Sequence, residues 1–191
     1  MKRVAAFGVI LGLLLMLQAG VAQATISLDF VPPSQSVSLG TPVTVGLQIS
    51  GLGDLVPPSL GTFDLDVSFD PTILSFSGAT YGTGLDVLGL GSLQITTPGV
   101  GTVNLFELSF DSVDDLNTLQ PGTFTLATLT FDTIGLGASA LGFHVNALGD
   151  ADGNSLSAVP GVGSITAVPE PGTMFLLGTG LMGALLFRRR R

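Results

Sequence analysis

Between Thr25 and Val168 apolar and polar residues alternate in short runs. Val43, Val45, Leu47 and Ile49 interleave with Thr44, Gly46, Gln48 and Ser50, the two-residue period of a strand with one buried face. Phe63, Leu65, Val67 and Phe69 do the same against Thr62, Asp64, Asp66 and Ser68, as do Leu141, Phe143 and Val145 against Gly142, His144 and Asn146. Two further runs change phase. In residues 102–111 the apolar set moves from Val103 and Leu105 to Phe106, Leu108 and Phe110, and in 123–132 from Phe124 and Leu126 to Ala127, Leu129 and Phe131. A one-residue slip predicts a β-bulge, or a strand that bends from one sheet to the other. Adding 26–31, 73–77, 92–96 and 164–168 gives about nine strands. Pro32-Pro33, residues 51–58, Asp70-Pro71, Pro98-Gly99, Pro121-Gly122 and residues 150–154 supply the turn chemistry between them. No helix of useful length is predicted for this region. The expected fold is all-β, a β-sandwich of about nine strands with jelly-roll topology.

Charge divides the chain more sharply than hydropathy does. Its six basic residues are Lys2, Arg3 and Arg188 to Arg191, whereas residues 25–168 hold thirteen carboxylates, His144 and no Lys or Arg. A body without cations cannot neutralise phosphates, which argues against nucleic acid as a partner. It also lacks bidentate arginine recognition of anions. The chain has no cysteine, which removes disulfides, thiolate metal sites and thiol nucleophiles together.

The basic ends belong to two targeting-type segments. Lys2 and Arg3 precede an apolar run from Val4 to Leu17, and Ala22-Gln23-Ala24 places small residues at signal-peptidase spacing. Residues 1–24 therefore read as a signal peptide cut after Ala24; the alternative is an uncleaved anchor, for which the apolar run is short. At the other end Pro169-Glu170-Pro171 is followed by apolar residues from Met174 to Phe187 and then four arginines. A helix over that stretch would be short for a bilayer but spans with snorkelling arginines, leaving the acidic body outside. The three parts in this order resemble the PEP-CTERM sorting tail of Gram-negative bacteria. In that family an integral-membrane exosortase recognises the tripeptide and removes the tail, so the resemblance implies recognition roles for Pro169, Glu170 and Pro171. The plainer alternative is a single-pass anchor with a proline-rich stalk. Residues 169–191 are expected to form this tail, a transient or retained membrane anchor.

The body, expected as one domain over 25–168, resembles the cohesin domain. The carrying residues are the run from Gly61 to Phe76, with Phe69-Asp70-Pro71 between a strand and an apolar restart at Ile73-Leu74. Phe69 stands where that family often has tyrosine. The run from Gly122 to Phe131, closing on Leu129-Thr130-Phe131, and the segment from Asp150 to Leu156 ahead of Gly163-Ser164-Ile165 are similar to later cohesin strands. The resemblance implies a non-catalytic module at the cell surface or in extracellular matrix that docks a dockerin-like protein. Related sandwiches bind carbohydrate, so exopolysaccharide is the alternative ligand; sugar platforms use exposed aromatics, and Tyr81 is the body's one tyrosine.

Other chemistry is sparse. Asp150, Asp152 and Asn154 occupy the first, third and fifth positions of an EF-hand-like loop and are candidate Ca²⁺ ligands, although Ser155 replaces the turn glycine and Gly161 the bidentate glutamate. The same residues also make an ordinary hairpin turn. Asp111, Asp114 and Asp115 form a second acidic loop open to the same two readings. Asp64 and Asp66 share one strand face at roughly the separation of an inverting glycosidase pair. Side by side on an open strand, they read better as a polar outer face. His144 has no second histidine for a metal and falls on the polar phase. A secreted hydrolase is the least supported class, and no catalytic residue is assigned.

Overall fold

The computed structural model describes residues 25–170 together with Gly172, Phe175, Thr179 and Met182. Ala22 and Ala24, Pro171 and most of the C-terminal tail lie outside the described residues. The body holds eleven strands and one short helix: β1 (Ile26–Val31), β2 (Ser34–Ser38), β3 (Pro42–Ser50), β4 (Leu60–Ser68), β5 (Leu74–Tyr81), β6 (Ser92–Pro98), β7 (Thr102–Ser109), α1 (Val113–Leu119), β8 (Thr123–Thr133), β9 (Gly137–Asp150), β10 (Ala158–Pro160) and β11 (Val162–Val168). They form two mixed sheets ordered β10-β1-β3-β8-β5 and β2-β11-β9-β4-β7-β6, packed as a β-sandwich.

The alternating runs land where their period requires. Val43, Val45, Leu47 and Ile49 face Phe63, Leu65 and Val67 from opposite sheets within one core, joined by Leu129, Phe131 and Leu141. Each such side chain contributes on the order of 1.5–3 kcal/mol on burial. The slip in β8 is a bulge: Leu47 pairs with Ala127 and Gln48 with Thr125, so Leu126 and Ala127 both turn inward. The slip in β7 is neither a bulge nor a bend. Its register with β4 and β6 runs unbroken, its inward set is Val103, Leu105 and Glu107, and Phe106 and Leu108 lie on the outer face.

Three elements correct the sequence expectation. β2 and β10 are additional strands, pairing in parallel with β11 and β1. Residues 113–119 are helical rather than an acidic loop. Ser112 caps that helix, accepting the Asp115 N–H on its Oγ, and Asp114 and Asp115 sit in the first turn, where the helix dipole favours acids.

The pairing also sorts the loops between two ends. The turns 39–41 and 99–101, the loops 69–73 and 134–136, and the end of β11 at Val168 share one end, tied by Gly40 N–H to Thr133 O, Phe69 N–H to Gly101 O and Ile134 N–H to Ile73 O. The loops 51–59 and 82–91, α1 and the turn 151–154 lie at the other.

Candidate functional site

The outer face of the β9-β4-β7-β6 half-sheet carries the densest group of chemistry-bearing side chains outside the core. Cross-strand partners project to the same side, so Asp66 lies in line with Asn104 and His144, Asp64 with Phe106 and Ile95, and Thr62 with Leu108 and Leu93. The first rows are polar and interlocked. Asn104 Nδ2 donates to Asp64 Oδ1 at 2.6 Å and to Asp66 Oδ1 at 2.8 Å. Asn146 Nδ2 donates to Asp64 Oδ1 at 3.1 Å, and its Oδ1 lies 3.0 Å from His144 Nδ1. Asn146 reaches Asp64 because β9 bulges there: Leu65 pairs with Val145 and Asp64 with Ala147, leaving Asn146 as the extra residue. The other rows are apolar and open to solvent, with Leu93, Ile95 and Leu108 exposed and Phe110 beyond them.

Asp64 and Asp66 both accept from one asparagine amide on the outer face of the sheet. His144 is in the same polar network, on the face its sequence phase predicts. The network is suited to hydrogen bonding with a partner, and the adjoining Leu and Ile side chains to burial beneath one.

Tyr81 is half-buried rather than displayed. Its ring stacks on Phe63, with centroids 6.3 Å apart, and its hydroxyl donates to Ile95 O at 2.7 Å. Burial pushes its pKa up. The tyrosine thus props the edge strand β6 from inside and offers no platform for a sugar.

The acidic turn at Asp150 is occupied by its own hydrogen bonds. Asp150 Oδ1 accepts the Asn154 N–H at 2.7 Å and Oδ2 accepts Asn154 Nδ2 at 3.0 Å, while Gly153 takes positive φ. Burial raises the Asp150 pKa, but bonds from Asn154 and from the Asp152 and Gly153 N–H groups together outweigh it and hold it low. These bonds suit the residue types at Asp150, Gly153 and Asn154 to a hairpin turn. Among the described residues no three His, Cys, Asp or Glu side chains are placed together to hold a metal. Asp111 is separate from Asp114 and Asp115: its Oδ2 accepts the Val87 N–H, and its Oδ1 is buried without a hydrogen-bond partner.

Sequence reasoning missed Glu107, which is 1% exposed beneath the apolar rows. Its Oε1 accepts from Ser92 Oγ and Gln94 Nε2, both on β6. Burial pushes its pKa up; those two bonds act against the rise and the charge of Asp86 adds to it. The signal was present in the i, i+2 spacing of Val103, Leu105 and Glu107, obscured by the larger apolar residues of the opposite phase.

Comparison with known proteins bears on both parts of the chain. Residues 167–191 match the PEP-CTERM protein-sorting motif. No curated protein matches the chain in sequence. Among solved structures, the body is similar to the seventh type I cohesin of a scaffoldin from Pseudobacteroides cellulosolvens, at 16% identity and a TM-score of 0.61 over 77% of this chain and 94% of that one. The sixth cohesin of Acetivibrio cellulolyticus scaffoldin B, solved in complex with a dockerin, matches at 16% identity and TM-score 0.60, covering 75% and 99%. A non-cellulosomal cohesin from the archaeon Archaeoglobus fulgidus matches at 19% identity and TM-score 0.57, covering 81% and 97%. The body therefore has the cohesin fold, joined to a tail that carries the sorting motif.

Proposed function

We propose that this protein is an exported, non-catalytic binding module of the cell surface or extracellular matrix, sorted by an exosortase. In this reading residues 1–24 are removed after Ala24, the sandwich over 25–168 is the working domain, and Pro169, Glu170 and Pro171 are read by the exosortase before release or attachment. The chain crosses the inner membrane of a Gram-negative cell and is held there by its tail until processing. Its partner is a dockerin-like protein docking on the outer face of β9-β4-β7-β6. The observation that carries this is the exposed patch of Leu93, Ile95 and Leu108 beside the Asp64, Asp66 and Asn104 network, an apolar centre with a polar margin, as partner interfaces have. The cohesin fold, solved elsewhere with a dockerin bound, supports the same partner class. Tyr81 faces inward and supplies no exposed aromatic for exopolysaccharide.

The test is competitive capture. Immobilised residues 25–168 are offered a dockerin-like module and, separately, exopolysaccharide from the source organism. Retention of the protein module is expected. Retention of the polysaccharide alone would replace this reading with the carbohydrate one.

A further inference from the structure

The end of the sandwich from which the tail departs is rimmed with apolar loop tips. Val100, in the turn between β6 and β7, is 92% exposed, and Ile134 and Leu136, between β8 and β9, are 56% and 54% exposed. The intervening loop 69–73 binds these tips into one rim: Phe69 N–H donates to Gly101 O, and the N–H groups of Ile134 and Gly135 both donate to Ile73 O. Residues 98–102 and 133–137 contain no charged side chain. Three carboxylates lie near this rim, one of them Glu170, two residues beyond the end of β11. Asp70 is turned into its own loop, its Oδ1 accepting from Thr72 N–H and Oγ1, and Asp132 is exposed at the end of β8.

The opposite end is different. It also exposes leucines, Leu90 among them, but mixes them with Asp54, Asp86, Asp111, Asp114, Asp115, Asp150 and Asp152. The acidic charge of the body is therefore concentrated away from the tail. Chain length then limits where the uncharged rim can go. Five residues, 169–173, separate Val168 from the apolar stretch beginning at Met174, and fully extended they reach no more than about 18 Å.

We propose that Val100, Ile134 and Leu136 rest in the interfacial layer of the same bilayer that holds the C-terminal tail, so that the sandwich stands on this end. The proposal rests on the reading of the tail as a membrane anchor. Apolar tips without carboxylates enter the headgroup boundary, while the acidic end is repelled by anionic lipid and points away. The docking face, which runs along the side of the sandwich, stays clear of the membrane in this pose.

The chain lacks tryptophan, so single tryptophans report cleanly. Full-length chains carrying Val100→Trp, Leu136→Trp or, at the far end, Leu90→Trp are reconstituted in phosphatidylethanolamine–phosphatidylglycerol vesicles with brominated acyl chains, and flotation is measured alongside. Tryptophan at 100 and at 136 is expected to shift to the blue and lose about half its emission, as a group about 5–10 Å into the boundary does, while Leu90→Trp stays as in water. Chains that float with no difference among the three positions overturn the proposal alone. Chains that do not float overturn the anchoring reading and the proposal with it.

Discussion

Glu107 shows how a chain without cations keeps a carboxyl group inside. Its charged form has no Lys or Arg to pair with; two neutral donors on β6 hold it, and Asp86 and Tyr81 are the titratable groups that interact with it. Burial first, and then Asp86, raise its pKa above the ordinary value near 4.5. The folded state therefore holds the proton more tightly than the unfolded one, and stability falls as pH rises from the unfolded value through the folded one. Asp70 acts the other way. Hydrogen bonds from the Thr72 hydroxyl and N–H lower its pKa below 3.8, so its contribution is lost as pH falls through the folded value. In Glu107→Gln the donors keep an acceptor and the titration disappears. The decline in melting temperature as pH rises above about 4.5 should flatten in this variant. An unchanged slope would show that Glu107 does not set it.

The strands were readable where one face is buried and the other wet, as in β3 and β4, because burial imposes the period. They were not readable where pairing alone makes the strand. β2 reads Ser-Gln-Ser-Val-Ser and β10 spans three residues, and both exist through parallel hydrogen bonding to β11 and β1. The two phase slips looked alike and had different causes. In β8 an extra residue brings Leu126 and Ala127 inward together; in β7 the apolar residues of the second phase stay outside. That second case is the proposed docking face, so the feature this proposal rests on was visible in the sequence as a misfit to strand geometry.

The helix α1 was hidden by its length of seven residues. It is fixed by its C-cap, Gln120, which is fully buried. The Gln120 backbone N–H donates to Leu116 O, its Oε1 accepts the Leu60 N–H at 2.6 Å, and its Nε2 donates to Leu60 O at 2.9 Å and Gly84 O at 2.7 Å. One side chain thus fastens the helix to β4 and to the loop 82–91. Replacing it by alanine strands three buried backbone groups at roughly 1–3 kcal/mol each. Gln120→Ala should lose about 3 kcal/mol or more in urea unfolding. A loss below about 1 kcal/mol would mean that water replaces the amide.

Taken whole, the molecule separates its tasks in space. Cations lie in the two terminal segments and all carboxylates but Glu170 in the body, at −13 over residues 25–168 from thirteen Asp and Glu and no Lys or Arg. Most loop acids lie at the end away from the tail, the apolar tips ring the end beside it, and the proposed partner face occupies the side. Such a body should stay soluble and avoid anionic surfaces except at its uncharged rim. The sorting tail and the sandwich were both readable from residue order. The proposed docking face needed the register of four strands, because its members come from residues up to 82 apart in sequence, as the Asp64–Asn146 bond shows.

The most direct test of the docking assignment is a calorimetric titration of residues 25–168 with a dockerin-like module of the source organism. Two exposed strand positions are compared, Ile95→Asp on the β9-β4-β7-β6 face and Thr44→Asp on the outer face of the other sheet. A charge placed at the centre of the interface should weaken binding at least about tenfold, and Thr44→Asp should leave it unchanged. Equal affinities for the two variants, or a larger loss from Thr44→Asp, would contradict the assignment.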